Sequence, residues 1–166
     1  MKTILYQQAY ACLGRITPIP ADCGKLCGAK CCKGNDDDGM ILFPGEAEFL
    51  SSKEFLTIRE SEMCGSRVEF ASCKGHCPRN LRPLSCRIFP LAPFWNGKDL
   101  RVIPDPRAQY ICPLLSAPEA IDPAFSDAVH KAFSILLEDA EISEMLLNYA
   151  EMLNDYLKYT KTPVTE

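Results

Sequence analysis

DPAFSDAVHKAFSILLEDAEISEMLLNYAEMLNDYLKY, residues 122–159, decides the fold class once it is set beside LAPFWNGKDLRVI, residues 91–103. In the first stretch Asp122 stands as an N-cap before Pro123 at the first helical position, and Phe125, Ala128, Val129, Ala132, Phe133 and Leu136 recur at helical spacing. A second apolar stripe runs through Ile142, Met145, Leu146, Tyr149, Leu153, Tyr156 and Leu157, out of phase with the first by about one residue. The slip predicts two packed helices with a break between Glu138 and Glu141 rather than one rod. These stripes are core surface and carry no ligand. In the second stretch Leu91–Trp95 and Asp99–Ile103 flank Asn96-Gly97, a dipeptide suited to the two positive φ angles of a type I′ turn, so a β-hairpin is expected.

Outward from these elements the pattern thins. Nine of the thirteen prolines lie between residues 78 and 123, which excludes long helices there. A short helix is expected after Pro44, with Glu46 and Glu48 in its first turn and Phe49 and Leu50 following. Ser66–Ser72 reads as a strand and Thr160–Glu166 as a frayed end. The chain has no internal repeat and no low-complexity tract. The expected architecture is α+β, a single domain over residues 1–166 in which a small loop-rich half, organised by metal and carrying a β-hairpin, packs on C-terminal α-helices. The cysteine region spans about 20–115 and the helical tail about 120–159.

Of the 166 residues, ten are cysteine and 47% are apolar, and the net charge is -4. A chain of this length buries roughly two-thirds of its unfolded surface, so it does not need cysteines as staples. MKTILYQQAYACLG, residues 1–14, has only Ile4, Leu5 and Tyr6 between its one basic residue and Gln7-Gln8. That falls short of the roughly 7–15 apolar residues of a secretory segment, and no apolar run approaches the roughly 18 that span a bilayer. A soluble, cytoplasmic protein is expected. In a reducing compartment dense cysteine points to metal or redox chemistry rather than structural disulfides. The negative charge gives no case for nucleic acid as a partner.

All ten cysteines lie between Cys12 and Cys112. CGKLCGAKCC, residues 23–32, holds Cys23, Cys27, Cys31 and Cys32; spacings this short on tight turns aim several sulfurs at one centre, and glycine after a ligand lets backbone N–H groups face the thiolates. Adjacent side chains of an extended segment point to opposite sides, so Cys31 and Cys32 are expected to serve two different centres, or only one of them to be a ligand. CKGHCPRNLRPLSCR, residues 73–87, supplies Cys73, Cys77 and Cys86, with Cys112-Pro113 beyond. Proline after Cys77 and Cys112 closes a ligand turn, as it does after iron–sulfur cysteines. Cys12 and Cys64 stand apart and read as small apolar residues. Lys25, Lys30, Lys33, Lys74, Arg79, Arg82 and Arg87 flank the clusters; cations there stabilise thiolates, although loop solubility accounts for about half of them.

Other motifs carry less. His76, between Cys73 and Cys77, is a candidate mixed-site ligand but ranks below Cys77 for a soft metal, and His130 falls on the polar side of the tail helix. The run Asn35-Asp36-Asp37-Asp38-Gly39 fails as a calcium loop because Gly34 and Gly45 would occupy the first and twelfth ligand places. There is no P-loop, dinucleotide fingerprint or G-x-S-x-G, so nucleotide-dependent and triad hydrolase functions have no support.

Residues 23–32 followed by CPRNLRPLSCRIFP, residues 77–90, resemble the YkgJ-type cysteine cluster family, whose domain is described as chelating zinc or iron. Arg82-Pro83, Cys86-Arg87 and Phe89-Pro90 fill the family's Arg-Pro, Cys-Arg and aromatic-Pro places, and Glu46 fits the segment after the first cluster. The resemblance covers about residues 20–115 and implies eight metal ligands: Cys23, Cys27, Cys31, Cys32, Cys73, Cys77, Cys86 and Cys112. The chain departs from the family form in having three residues, not two, between its first three cysteines, and Cys64 is an alternative to Cys73. The family includes a flagellin lysine methylase, which brings in methyl transfer by analogy alone. Eight thiolates accommodate two tetrahedral zinc sites, one four-iron cluster with spare thiols, or a cluster beside a zinc. Cys27, Cys31 and Cys32 lack the spacing of a radical-SAM enzyme. The expected function is chelation of zinc or iron through thiolates, with an iron–sulfur enzyme or redox module as the alternative and a disulfide scaffold behind it.

Overall fold

The computed structural model describes residues 2–32, 39–50, 54–74 and 77–159. It opens with a helix absent from the sequence expectations, α1 (Lys2–Leu13), whose Leu5, Tyr6, Ala9, Tyr10 and Leu13 are buried along one stripe. The start of the chain therefore contributes core. The two tail helices are present as expected: α5 (Pro123–Leu136), capped by the Asp122 carboxylate accepting from the Ala124 N–H at 2.9 Å, and α6 (Ala140–Tyr159). No glycine or proline separates them. Asp139 does so, its Oδ1 accepting from the N–H groups of Glu141 and Ile142 at 3.1 and 3.2 Å and so starting a new helix.

Helix α1 packs on α5, and the hairpin β4 (Leu91–Trp95) and β5 (Leu100–Pro104) lies against α5 and α6. One hydrophobic core joins them, with Phe43 edge-on to Phe133 at 5.1 Å between ring centroids and to Tyr149 at 6.1 Å. The α+β class, with a hairpin packed on C-terminal helices, is what the structure has. None of the eight candidate ligands belongs to this core; Cys12 alone among the cysteines packs against it.

A three-stranded antiparallel sheet stands beside the core in the order β1-β3-β2: β1 (Gly39–Leu42), β2 (Leu56–Met63) and β3 (Ser66–Cys73). Strand β3 fulfils the expected strand and adds Cys73 to it. Strands β1 and β2 were not anticipated: β2, LTIRESEM, is mostly exposed and polar, and β1 is only four residues long. Gly39 pairs with Ser72, and a Cβ there would sit 2.3 Å from the Ala71 carbonyl, so the close approach requires glycine. The short helix α3 (Glu46–Leu50) follows Pro44 as expected.

The hairpin turns correct the sequence reading. Asn96-Gly97 belongs to a four-residue connection, Asn96–Asp99, in which Asn96 Oδ1 accepts from the N–H groups of Lys98 and Asp99, so only Gly97 needs positive φ. The two-residue turn with positive φ at both positions joins β2 to β3 instead, at Cys64 (+50°) and Gly65 (+75°). The proline-rich stretch holds only the five-residue helix α4 (Leu84–Ile88), the hairpin and 3-10 turns, as its composition demands. His76, Asn35–Asp38 and Thr160–Glu166 lie outside the described residues. Among the described residues, no helix is long and apolar enough to cross a membrane.

Candidate metal centre

The first thiols are placed by α2 (Cys23–Cys27), a single helical turn. Asp22 Oδ1 accepts from the Gly24 N–H at 3.1 Å to start it, and Gly28, with φ +63°, ends it. A spacing of four residues puts Cys23 and Cys27 on one face, with Leu26 projecting into solvent. Gly28 and Ala29 both take positive φ, and the Cys32 N–H donates to the Ala29 carbonyl at 2.8 Å. Cys31 and Cys32 thus leave a turn rather than an extended strand. Their sulfurs lie 3.9 Å apart, so the expectation of opposite sides fails because the backbone is not pleated there.

The remaining thiols come from four places. Cys73 ends β3, Cys77 precedes the 3-10 turn Arg79–Leu81, Cys86 rides on α4, and Cys112 is held by its N–H donating to the Ala108 carbonyl at 2.8 Å. Cys31, Cys32, Cys73, Cys77 and Cys86 line one cavity of about 200 Å³, with Met40, Leu56 and Phe89 forming apolar wall. Sequence reasoning missed that wall, because its residues come from separate elements and share no motif.

Electrostatics divide the thiols into two neighbourhoods. Burial pushes the Cys86 thiol well up, and the charges of Cys32, Cys77 and Cys73 push it further. Burial also raises Cys77, opposed by the guanidinium of Arg82, whose Nε donates to Cys77 Sγ at 3.2 Å. Cys112 is raised by burial and then, against a hydrogen bond from the Leu114 backbone, by Cys23 and Cys27; Cys31 feels the same two. Cys31 thus lines the cavity with Cys32 while also feeling the charges of Cys27 and Cys23, and the hydrogen bond between the vicinal thiols lowers Cys31 and raises Cys32. All ten cysteines are free. Among the described residues, no three His, Cys, Asp or Glu side chains stand close enough together to hold a metal ion as placed.

Two of the flanking cations act on the thiols. Arg82 serves Cys77, and the charge of Arg79 lowers Cys23 against the rise caused by burial. Arg79 also donates to the Ile16 carbonyl at 3.0 Å, while its buried Nε has no partner. Arg87 faces away from the thiols, donating to the Gly14 carbonyl and lying 5.0 Å over the Tyr10 ring, so it is a tie to α1. Lys25, Lys30 and Lys74 are exposed.

Glu46, at the start of α3, holds this half to the core. Its carboxylate is wholly buried and accepts from the Tyr10 hydroxyl at 2.8 Å, the Phe43 N–H at 3.0 Å and the Leu84 N–H at 2.6 Å. It thereby fixes α4, and with it Cys86, against α1. Cys64 lies away from the cavity, at the β2–β3 turn, with its thiol 3.7 Å from the Asn148 carbonyl of α6. Comparison with protein-family models, with curated proteins and with solved structures found no match for the chain.

Proposed function

We propose that the chain binds soft metal ions through eight thiolates arranged as two adjacent groups, an outer one of Cys23, Cys27, Cys31 and Cys112 and an inner one of Cys32, Cys73, Cys77 and Cys86. The observation that carries this reading is that Cys31, Cys32, Cys73, Cys77 and Cys86, from separate segments, line one cavity, with the vicinal sulfurs 3.9 Å apart. Sulfur-only donors suit zinc or an iron–sulfur centre and disfavour magnesium or calcium. The hydrogen bond from Arg82 to Cys77 and the neighbouring backbone donors are the surroundings a thiolate centre uses to hold its charge. The resemblance to the YkgJ-type family points the same way. Unpaired cysteines accord with a reducing compartment such as the cytoplasm.

Zinc in two tetrahedral sites is the leading assignment. The apolar wall of Met40, Leu56 and Phe89 favours an iron–sulfur centre as the second, since excluding water stabilises a cluster and tunes its potential. Elemental analysis of anaerobically purified chain decides. About two zinc ions per chain in a colourless protein supports the first, and iron with matching sulfide and visible absorption supports the second. A reduced, folded chain that retains neither and takes up neither on reconstitution removes the reading.

A further inference from the structure

Among the described residues that line the thiol cavity, only Lys30, Cys31 and Ile111 are exposed, so they mark its mouth. Cys32, Cys73, Cys77 and Cys86 are half-buried where Cys31 is exposed. Of the three residues at the mouth, only Cys31 carries a group that binds a soft metal. Lys30 is a cation and Ile111 a hydrocarbon. The Cys31 sulfur is 3.9 Å from that of Cys32. Two thiolates bonded to one tetrahedral ion at about 2.3 Å stand about 3.8 Å apart, so the vicinal pair is already spaced to share an ion.

We propose that Cys31 is the first ligand met by an incoming divalent soft metal ion, and that the Cys31–Cys32 pair passes that ion into the inner thiol group. This rests on the two-group reading of the site. The transfer is ligand exchange without electron movement. An ion shared by Cys31 and Cys32 would exchange its bound waters for Cys73, Cys77 and Cys86, each incoming thiol giving its proton to solvent, and Cys31 would leave as a thiolate that takes up a proton or rejoins the outer group. Cys31 thus belongs to the outer group at rest and to the inner group only in passing.

Cobalt(II) is the probe, because its thiolate charge-transfer absorption reports sulfur bonding directly. Reduced, metal-free chain carrying Cys23→Ser, Cys27→Ser and Cys112→Ser isolates the inner group and is mixed anaerobically with cobalt(II), with Cys31 intact or changed to serine. The expected result is the same final absorption in both, with filling slower by about tenfold or more in the Cys31→Ser chain, the loss of a prepositioned ligand. Equal filling rates overturn the proposal, as does loss of the final absorption with Cys31→Ser, which would make Cys31 a resident inner ligand. A second measurement on the unaltered metal-free chain guards against misfolding of the variants. Limited alkylation read by mass spectrometry labels Cys31 before Cys77 and Cys86, whereas equal labelling overturns the single mouth. If the unaltered chain gives no thiolate–cobalt absorption at all, the metal reading itself falls. Absorption with unchanged kinetics removes only the route.

Discussion

At the scale of single residues, Glu46 shows how the chain joins its two halves. A fully buried carboxylate with three donors is costly to replace, because each donor left unsatisfied costs about 1–3 kcal/mol. Glu46→Ala is expected to lower unfolding free energy by about 3 kcal/mol or more, read by urea titration. Its pH dependence has a definite sign. Burial is the largest influence and raises the Glu46 pKa above the ordinary 4.5, against the hydrogen bonds from Leu84, Phe43 and Tyr10. A raised folded-state pKa means that folding favours the protonated form, so this contribution is complete below about pH 4.5 and is lost as pH climbs through the folded value. The stability of the unaltered chain relative to Glu46→Gln is therefore expected to fall as pH rises from 4.5. A difference that is flat or rising with pH overturns this.

At the scale of elements, the strongly periodic pieces were legible and the weakly patterned ones were not. Asp122 and the two apolar stripes announced α5 and α6, because capping and 3.6-residue spacing are local properties. The break between them was legible from the phase slip even though its cause, the cap at Asp139, was not. Asp139→Ala is expected to cost about 1 kcal/mol and to fray the first turn of α6, seen as lost amide protection at Glu141 and Ile142. Helix α1 was missed although Leu5, Tyr6, Ala9, Tyr10 and Leu13 have helical spacing, because two polar residues in its middle hide a narrow stripe. Strand β2 was missed because its exposed residues obey no burial pattern. The type I′ turn was placed at the asparagine–glycine pair, where side-chain hydrogen bonds supplied another solution, and not at Cys64-Gly65, which no residue preference advertises. Cys64 holds a left-handed conformation that asparagine tolerates better. Cys64→Asn is expected to raise stability by up to about 1 kcal/mol in thermal unfolding while leaving bound metal per chain unchanged. Loss of metal in that variant would return Cys64 to the ligand set.

At the scale of the whole molecule, the chain has a hydrophobic core and a thiol-bearing part outside it, and the proposed metal would support only the second. The hydrophobic core of α1, α5, α6 and the β4–β5 hairpin contains none of the eight thiols, whereas α2 has no buried residue of its own. A metal that clamps the thiol groups would thus order residues 16–32 and 77–82 without being needed for the helices. This narrows the sequence expectation that metal organises the loop-rich half, since Glu46 and Arg87 already tie that half to α1 through hydrogen bonds. Anaerobic chelation is expected to leave far-UV circular dichroism nearly unchanged and to abolish hydrogen-exchange protection at Ala29, whose N–H closes the α2 turn, and at Cys32, whose N–H closes the turn that follows it. Global loss of helix on chelation would show that the core depends on metal after all. Acid should act like the chelator. Burial raises the thiols of Cys23, Cys77, Cys86 and Cys112, so protons compete with metal for those sulfurs well into the alkaline range, and affinity should strengthen with rising pH. Competition with a chromophoric chelator at several pH values reads that slope, and a slope of zero would mean that the bound species is held by groups other than thiolates.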